Sequence, residues 1–319
     1  MPWPCTVAVS GGGDSLALML MLARAKKKPA PIVLTVDHGL RPDSAKDAKS
    51  VLRTAKKLGL DAHLLSWKGA KPKSDIEAAA REARYRLMGE WCLKHKIENL
   101  YLAHTLEDQA ETFLLRLARG SGLDGLCAMQ RIAPYPLPGF GELKLVRPLL
   151  GETRANLRAT LKKAGLKWRD DPMNEDPRFA RVRIRKAWPQ LEELGLSPAR
   201  IAAAASHLAR AREALEEATA ALIASSCRFE DGKVLLDGAA LARSPREIGL
   251  RALAALLGRV GGRTYRPRFE RLERLFDSLA DGQPATLHGC RIAPAPRKSA
   301  RFGSKTLQIL PENPRKVRV

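Results

Sequence analysis

The sequence predicts an α/β fold, in which a doubly wound, mostly parallel sheet is followed by a small helical domain. In the first half, short β-branched runs alternate with longer helical patterns, and the second half is Ala-rich and helical. With 319 residues and 35.0 kDa, the chain is long enough for two domains. We expect these domains at 1–190 and 191–285, with a basic tail at 286–319.

The first domain shows four strand patterns and four helix patterns in strict alternation. The strands are predicted at 6–9, 32–36, 62–67 and 100–103, and the helices at 15–25, 44–57, 75–94 and 107–119. Another helix is predicted at 153–164. Alternation of this kind places a binding site at the C-terminal ends of the strands.

The second domain begins with a long helical pattern at 198–224. Ser244, Pro245 and Glu247 are typical of the N-cap, N1 and N3 positions of a second helix. A third helix presents an apolar face between 269 and 279 and is expected to end at Gly282. The tail from 291 contains one strand-like patch, 306–310, and is expected to be partly disordered.

The chain is strongly basic. It has 56 Lys and Arg against 34 Asp and Glu, a formal charge of +22. Residues 151–319 carry +14 of this excess. Because Lys and Arg release counterions from phosphates, such a charge favours a nucleic acid partner. The alternative is an Arg-rich face that serves solubility only.

The cysteines are widely spaced, and no C-x-x-C pair or Cys/His cluster occurs. This spacing disfavours a zinc site or a redox pair and favours buried free thiols, as in a reducing cytoplasm. The longest apolar run, 16–23, is too short to span a bilayer, and no leader pattern precedes it. We therefore expect a cytoplasmic protein with no membrane partner.

A glycine-rich loop follows the first predicted strand and precedes an apolar helix. It consists of Ser10, Gly11, Gly12, Gly13, Asp14 and Ser15. Glycines let backbone N–H groups turn inward, and a helix N-terminus adds partial positive charge, so the loop suits a pyrophosphate. The sequence lacks the G-x-x-x-x-G-K-[ST] pattern of a Walker A loop. An ordinary Gly-rich turn is the alternative.

His104 and Asp108 lie where the fourth strand ends and the next helix starts, so both can face the crevice of the glycine loop. A carboxylate there suits Mg²⁺ binding or proton uptake from an attacking amine. An imidazole suits contact with phosphate or with a base. The alternatives are a helix-capping aspartate and a core histidine.

Other cationic and polar side chains are candidates for the same crevice. Arg81 and Arg84 are three residues apart on one helix, which lets two guanidinium groups meet one anion. A solvated helix flank, or pairing with Glu77, is the alternative. His38, at the end of the second strand, either lines an adenosine pocket or caps the strand.

A basic run, R-F-A-R-V-R-I-R-K, occupies 178–186. Its charged members are Arg178, Arg181, Arg183, Arg185 and Lys186. Such a run suits phosphate contacts along RNA, with Phe179 available for stacking. The alternative is the charged flank of a helix.

The loop S-G-G-G-D-S resembles that of the N-type ATP pyrophosphatases, the PP-loop family, whose fold is similar to that of the adenine nucleotide alpha hydrolases. Five further motifs follow in order: V-D-H-G-L-R at 36–41, E-A-A-A-R-E-A-R-Y at 77–85, L-A-H-T-L-E-D-Q-A-E-T at 102–112, R-G-S-G-L-D-G-L at 119–126 and R-P-L-L at 147–150. Together they resemble the tRNA(Ile)-lysidine synthetases over 6–186. The sequence departs from that family at Val182, where Asn is usual, and at Met173, where Ser or Thr is usual.

The resemblance implies a reaction. ATP adenylates O2 of the wobble cytidine in tRNA(Ile) with a CAU anticodon. The ε-amine of free L-lysine then attacks C2 and displaces AMP, giving lysidine and changing codon reading from AUG to AUA. The partners implied are ATP, Mg²⁺, this tRNA and lysine; a homodimer is left open.

The resemblance also implies roles for the residues named above. Ser10, Gly11, Gly12, Gly13 and Ser15 hold phosphate oxygens, and Asp14 and Asp108 bind Mg²⁺. His104, Arg81 and Arg84 face the active site. Two other classes remain as alternatives: a tRNA thiolase on the same fold, which usually needs catalytic or cluster-binding cysteines, and a noncatalytic RNA-binding protein.

Overall fold

The computed structural model describes residues 1–40, 44–69, 71–72, 74–169, 176, 178–230, 232–263, 265–280 and 283–312. The chain forms two compact units, Met1–Ala209 and Arg210–Val319. Three features predicted above lie outside the described residues: Arg41, Met173 and the helix end at Gly282.

The first unit is built on a six-stranded sheet of order β3-β2-β1-β4-β6-β5. Its strands are β1 (Thr6–Ala8), β2 (Ile32–Asp37), β3 (Ala62–Ser66), β4 (Asn99–Tyr101), β5 (Ile132–Pro134) and β6 (Lys144–Val146). All neighbours pair in parallel except β5 and β6. The predicted mostly parallel sheet is therefore confirmed, and β5 and β6 are additions that the sequence patterns missed.

The helices of the first unit follow the predicted alternation. They are α1 (Gly13–Arg24), α2 (Ser44–Lys57), α3 (Ile76–Lys94), α4 (Leu106–Leu117), α5 (Leu123–Leu126), α6 (Arg154–Lys163) and α7 (Ala180–Glu193). Most of α1 is buried, because Leu16, Leu18, Met19 and Leu20 all enter one core between the sheet, α2 and α6. This burial on every side fixes the helix that carries Asp14.

The second unit contains the predicted helices and also a sheet. Helix α8 (Pro198–Ser226) includes the boundary between the units, and α9 (Gly238–Arg243), α10 (Arg246–Gly261) and α11 (Phe269–Ala280) follow. Five antiparallel strands lie in the order β7-β8-β11-β10-β9. They are β7 (Cys227–Glu230), β8 (Lys233–Asp237), β9 (Ala285–Leu287), β10 (Cys290–Pro294) and β11 (Thr306–Pro311).

This sheet is the main difference from the expected helical domain and basic tail. The expected tail supplies β10 and β11, which have a neighbouring strand on both sides. Ile292 of β10 pairs with Ile309 of β11, and both side chains are completely buried. On the helical side, Gly249 of α10 lets α11 approach closely, since a Cβ there would overlap the ring of Phe276. Pro245, not Ser244, is the N-cap of α10.

Two further observations bear on the sequence-based expectations. The cysteines Cys5, Cys92, Cys127, Cys227 and Cys290 are buried free thiols. Among the described residues, no helix is long and apolar enough to span a membrane.

Candidate active site

A cleft of about 1260 Å³ opens at the C-terminal ends of β1, β2 and β4. This is the edge where a doubly wound sheet places its ligands. The glycine loop and the first turns of α1, α4 and α6 line it. The predicted residues in its walls are Ser10, Gly12, Gly13, Asp14, Ser15, His38, Arg84, His104, Asp108, Arg178 and Arg185.

The glycine loop joins β1 to α1, and hydrogen bonds between its own residues stabilise its conformation. Gly11 has a φ of +91°, which a residue with a side chain rarely adopts. The Ser15 hydroxyl donates to the Gly12 carbonyl over 3.0 Å and accepts from the Ser10 N–H over 3.2 Å. The N-cap, Gly12, offers no side-chain acceptor to the first turn of α1. The loop therefore presents a helix N-terminus to an anion in the cleft.

Asp14 and Asp108 face each other across one guanidinium group. Asp14 lies in the first turn of α1, and Asp108 is the N3 residue of α4, where it forms a capping box with Thr105. Arg154, the first residue of α6, places Nη2 2.6 Å from Asp108 Oδ1 and Nε 3.6 Å from Asp14 Oδ2. Three helix N-termini thus bring two carboxylates and one cation together.

A third carboxylate, that of Glu111, lies one turn after Asp108 on α4 and is completely buried. Its carboxylate accepts from Arg185 Nε over 2.7 Å and from Arg154 Nη1 over 3.1 Å. Arg185, predicted to contact RNA, is therefore engaged in an ion pair in the cleft wall.

The two aspartates differ in pKa although both face Arg154. Burial raises the pKa of Asp14, and the more distant Arg154 offsets only part of this effect. Burial also opposes ionisation of Asp108, but the close Arg154 and the Thr105 N–H outweigh it and hold its pKa below the usual range. Asp108 is thus the more firmly ionised carboxylate of the pair.

The imidazole groups in the cleft are held in the neutral form. Burial lowers the pKa of His104 to about 3, against the opposing charge of Asp108. Burial also lowers the pKa of His38, and Arg84 adds to that effect. Both histidines and Arg84 have a buried nitrogen without a hydrogen-bond partner in the protein. These atoms are His38 Nδ1, His104 Nδ1 and Arg84 Nε. Buried polar atoms of this kind are suited to a ligand that enters the cleft.

The two arginines predicted on α3 occupy different positions. Arg84 lines the cleft, whereas Arg81 is exposed and donates from Nη2 to the Tyr85 hydroxyl over 3.3 Å. Tyr85 itself is buried. The structure therefore brings Arg84, but not Arg81, to the cleft wall.

The basic run does not form one continuous surface, because its residues from 180 onward lie on different faces of α7. Arg183 and Lys186 are exposed, Arg181 is half-buried, and Arg178 pairs with Asp176 at 2.6 Å. Val182 is buried, so an apolar side chain fits this departure from the family pattern.

Comparison with known proteins places this cleft in a family. A family model described as the PP-loop domain matches residues 4–191. The tRNA(Ile)-lysidine synthase of Ruegeria pomeroyi is 41% identical over 90% of this chain and 68% of its own length. That of Methylobacterium nodulans is 40% identical over 98% of this chain and 91% of its own length. The chain belongs to the tRNA(Ile)-lysidine synthase family.

A solved structure has a similar fold over part of this lysidine synthase family member. A U34-tRNA thiolase, NcsA from Methanococcus maripaludis with its [4Fe-4S] cluster, superposes with a TM-score of 0.53. It covers 64% of this chain and 71% of its own, at 17% identity, so the likeness concerns the fold alone. The PP-loop domain uses ATP, which makes ATP a substrate of this chain.

Two residues of the ion-pair network at the cleft, Glu111 and Arg154, were missed by sequence reasoning. Glu111 belongs to the quoted motif and stands three residues after Asp108, which places both carboxylates on one helical face. This spacing was the available signal. Arg154 had no local signal, since its partners lie 46 and 43 residues earlier in the chain.

Proposed function

We propose that this chain joins the ε-amine of lysine to C2 of the wobble cytidine of tRNA(Ile) with a CAU anticodon, using ATP. The observation that carries this proposal is the meeting of the glycine loop with Asp14 and Asp108 in one cleft, in a chain of the lysidine synthase family. A phosphate-binding helix N-terminus beside two carboxylates is suited to nucleotide activation.

The carboxylates fit a divalent cation. Asp14 and Asp108 both contact the guanidinium of Arg154, so their oxygens already converge on one positive group. Mg²⁺ is commonly held by one or two carboxylates together with substrate phosphates, which matches this pair. When bound by Asp14 and Asp108, Mg²⁺ would offset negative charge on the departing pyrophosphate.

The first chemical step activates the cytidine. O2 of the base attacks the α-phosphorus of ATP, the bond to the β-phosphate oxygen breaks, and pyrophosphate leaves. The backbone N–H groups at the start of α1 and the serines Ser10 and Ser15 bind the phosphates during this step. Activation is required because the bare oxygen is a poor leaving group, whereas AMP is a good one.

The second step joins lysine. Its uncharged ε-nitrogen attacks C2, the C2–O2 bond breaks, AMP leaves, and the nitrogen releases one proton. Asp108 is ionised and lies in the cleft, so it is our candidate proton acceptor. Neutral His104 and the Arg84 guanidinium are positioned to donate to the base or to a phosphate.

The formal charge of +22 supports tRNA as the second substrate. We assign phosphate contacts to the exposed members of the basic run, Arg178, Arg183 and Lys186, and tRNA binding to the second unit. A thiolase is disfavoured, because the cysteines of the first unit are buried and burial raises the pKa of Cys5 to about 12.

The proposal is tested with labelled lysine, ATP, Mg²⁺ and a tRNA(Ile) transcript that carries CAU. The control is the same transcript with the wobble C changed to U. We expect label in the first RNA only, together with released AMP. Tight binding of both RNAs without label in either would overturn the proposal and favour a noncatalytic RNA-binding protein.

A further inference from the structure

Among the described residues, Arg154 forms ion pairs with three carboxylates, two that line the cleft and one buried behind it. It lies 2.6 Å from Asp108, 3.1 Å from Glu111 and 3.6 Å from Asp14. Its side chain is 21% exposed, so solvent screens these contacts only partly. The carboxylates come from two helices, α1 and α4, which makes Arg154 a link between them.

The backbone around Arg154 fixes where the guanidinium begins. The Arg154 N–H donates to both oxygens of Glu107, over 2.9 and 3.2 Å. Thr153 caps α6 by accepting from the Asn156 N–H, and the Leu106 N–H donates to the Glu152 carbonyl. The start of α6 is therefore tied to the start of α4, and the guanidinium is preorganised beside Asp108.

The same oxygens are those assigned to the divalent cation under the proposed function. A guanidinium offers one delocalised charge and a fork of donors, and it binds carboxylates by hydrogen bonds. A divalent cation needs direct access to the oxygen lone pairs that these donors occupy. Arg154 and the cation therefore compete for the lone pairs of Asp108 Oδ1.

We propose that Arg154 is a positioning residue that acts as an internal counter-ion for Asp14 and Asp108 and competes with the divalent cation for their oxygens. This inference rests on the proposed function for the identity of the cation. In the nucleotide-free protein, Arg154 keeps the two carboxylates together at fixed spacing. The phosphates of ATP supply the additional ligands that let the cation displace it, so the cation binds with the nucleotide and only weakly before it.

The test measures Mn²⁺ binding to the full chain without nucleotide, by electron paramagnetic resonance of free Mn²⁺. Arg154→Met removes the charge and keeps an extended side chain. We expect this variant to bind Mn²⁺ about tenfold more tightly than the unchanged protein, the scale of one released charge interaction. Lys162→Met, an exposed position on the same helix, is the matched control and should leave Mn²⁺ affinity unchanged.

Thermal melting provides a second readout. Without metal, Arg154→Met should melt at a lower temperature, because Asp108 and Glu111 lose their shorter or second ion pair and Asp14 loses its contact with Arg154. Mn²⁺ should restore part of the loss. Adding Asp14→Asn to Arg154→Met should abolish the gain in Mn²⁺ affinity. If Arg154→Met does not fold, Arg154→Lys, which keeps the charge but not the fork, should give a smaller gain of the same sign.

Equal or weaker Mn²⁺ binding by the folded Arg154 variants would overturn the inference. The measurement involves neither tRNA nor lysine nor ATP. If Arg154→Met binds Mn²⁺ more tightly and the unchanged protein does not label tRNA, the counter-ion role is supported and the proposed function is contradicted.

Discussion

The two units of the molecule use arginine in different ways. In the first unit, Arg154 and Arg185 are mostly buried and bind Asp108 and the fully buried Glu111. In the second unit, Arg259 is exposed and lies 3.9 Å from the ring centroid of Phe229.

Exposed cationic side chains contribute little to stability and stay available to a partner. A buried ionic network costs desolvation, and breaking it by removing one member is strongly destabilising. Under the proposed function, the buried network of the first unit serves catalysis, and exposed arginines such as Arg259 are candidates for contact with tRNA.

The strongest test of this contrast is Glu111→Gln. The substitution keeps the shape of the side chain but leaves Arg154 and Arg185 facing a neutral amide in a buried site. We expect a loss of about 3–5 kcal/mol in the free energy of unfolding, measured by urea denaturation. The comparison in the second unit is Asp277→Asn, whose partner Arg246 lies 2.7 Å away.

Asp277 and Arg246 are both exposed, so this replacement should cost far less stability than the replacement of Glu111. Equal losses in the free energy of unfolding would show that removing a charge from the buried network costs no more stability than removing one from an exposed ion pair.

The next largest effect concerns catalysis. Asp14→Asn and Asp108→Asn should each lower lysine incorporation by at least about 100-fold, because both remove charge beside the reacting phosphates. Affinity for tRNA, measured by filter binding, should stay within about twofold, since neither residue lies on an exposed basic surface. Loss of tRNA binding in parallel with activity would argue against a catalytic role.

A smaller effect is expected in the second unit. Arg259→Gln should weaken tRNA binding severalfold, while turnover at saturating tRNA stays unchanged. The slope of log affinity against log salt concentration should fall by up to about one. Lys162→Met, on the first unit, provides a charge-matched comparison. A fall in turnover at saturating tRNA would place Arg259 in the chemistry and remove the contrast between the units.

A separate test of the first unit concerns the pH dependence of stability. The pKa of His104 is lowered to about 3 in the folded protein from 6.5. The unfolded chain therefore binds the proton first as pH falls below 6.5, and stability is lost between about pH 6.5 and 3.

His104→Asn should lose less stability than the unchanged protein between pH 7 and 4, as measured by thermal melting. His207→Asn, at an exposed position of α8, is the control and should follow the unchanged protein. Identical pH profiles for all three proteins would contradict the neutral, buried state of His104.

Much of the fold was predictable because it depends on local patterns. The periods of β1 to β4 and α1 to α4, and the glycine loop between β1 and α1, are visible in single windows of sequence. Strands β5 and β6 are as short as β1 and β4, but they flank a stretch rich in Pro and Gly at 134–141 that is typical of a loop. The second sheet depends on pairs such as Leu236 with Leu307, which no local pattern reveals.

The site divides in the same way. Asp14 and Asp108 stand in motifs next to strand ends, so their convergence follows from the topology of a parallel sheet. Arg154 joins them from a helix much later in the chain, and only the folded structure shows that its guanidinium reaches both. In the sequence, Arg185 is one member of a basic run. In the folded structure, α7 places its guanidinium beside Glu111.

The most direct test of the central claim follows the oxygen atom that leaves the base. A tRNA(Ile) transcript labelled with ¹⁸O at O2 of the wobble cytidine is converted with ATP and lysine, and the released AMP is analysed by mass spectrometry. Adenylation of O2 followed by attack at C2 predicts one ¹⁸O atom in the phosphate of AMP. Label that stays in the RNA, or that appears in pyrophosphate, would contradict the account.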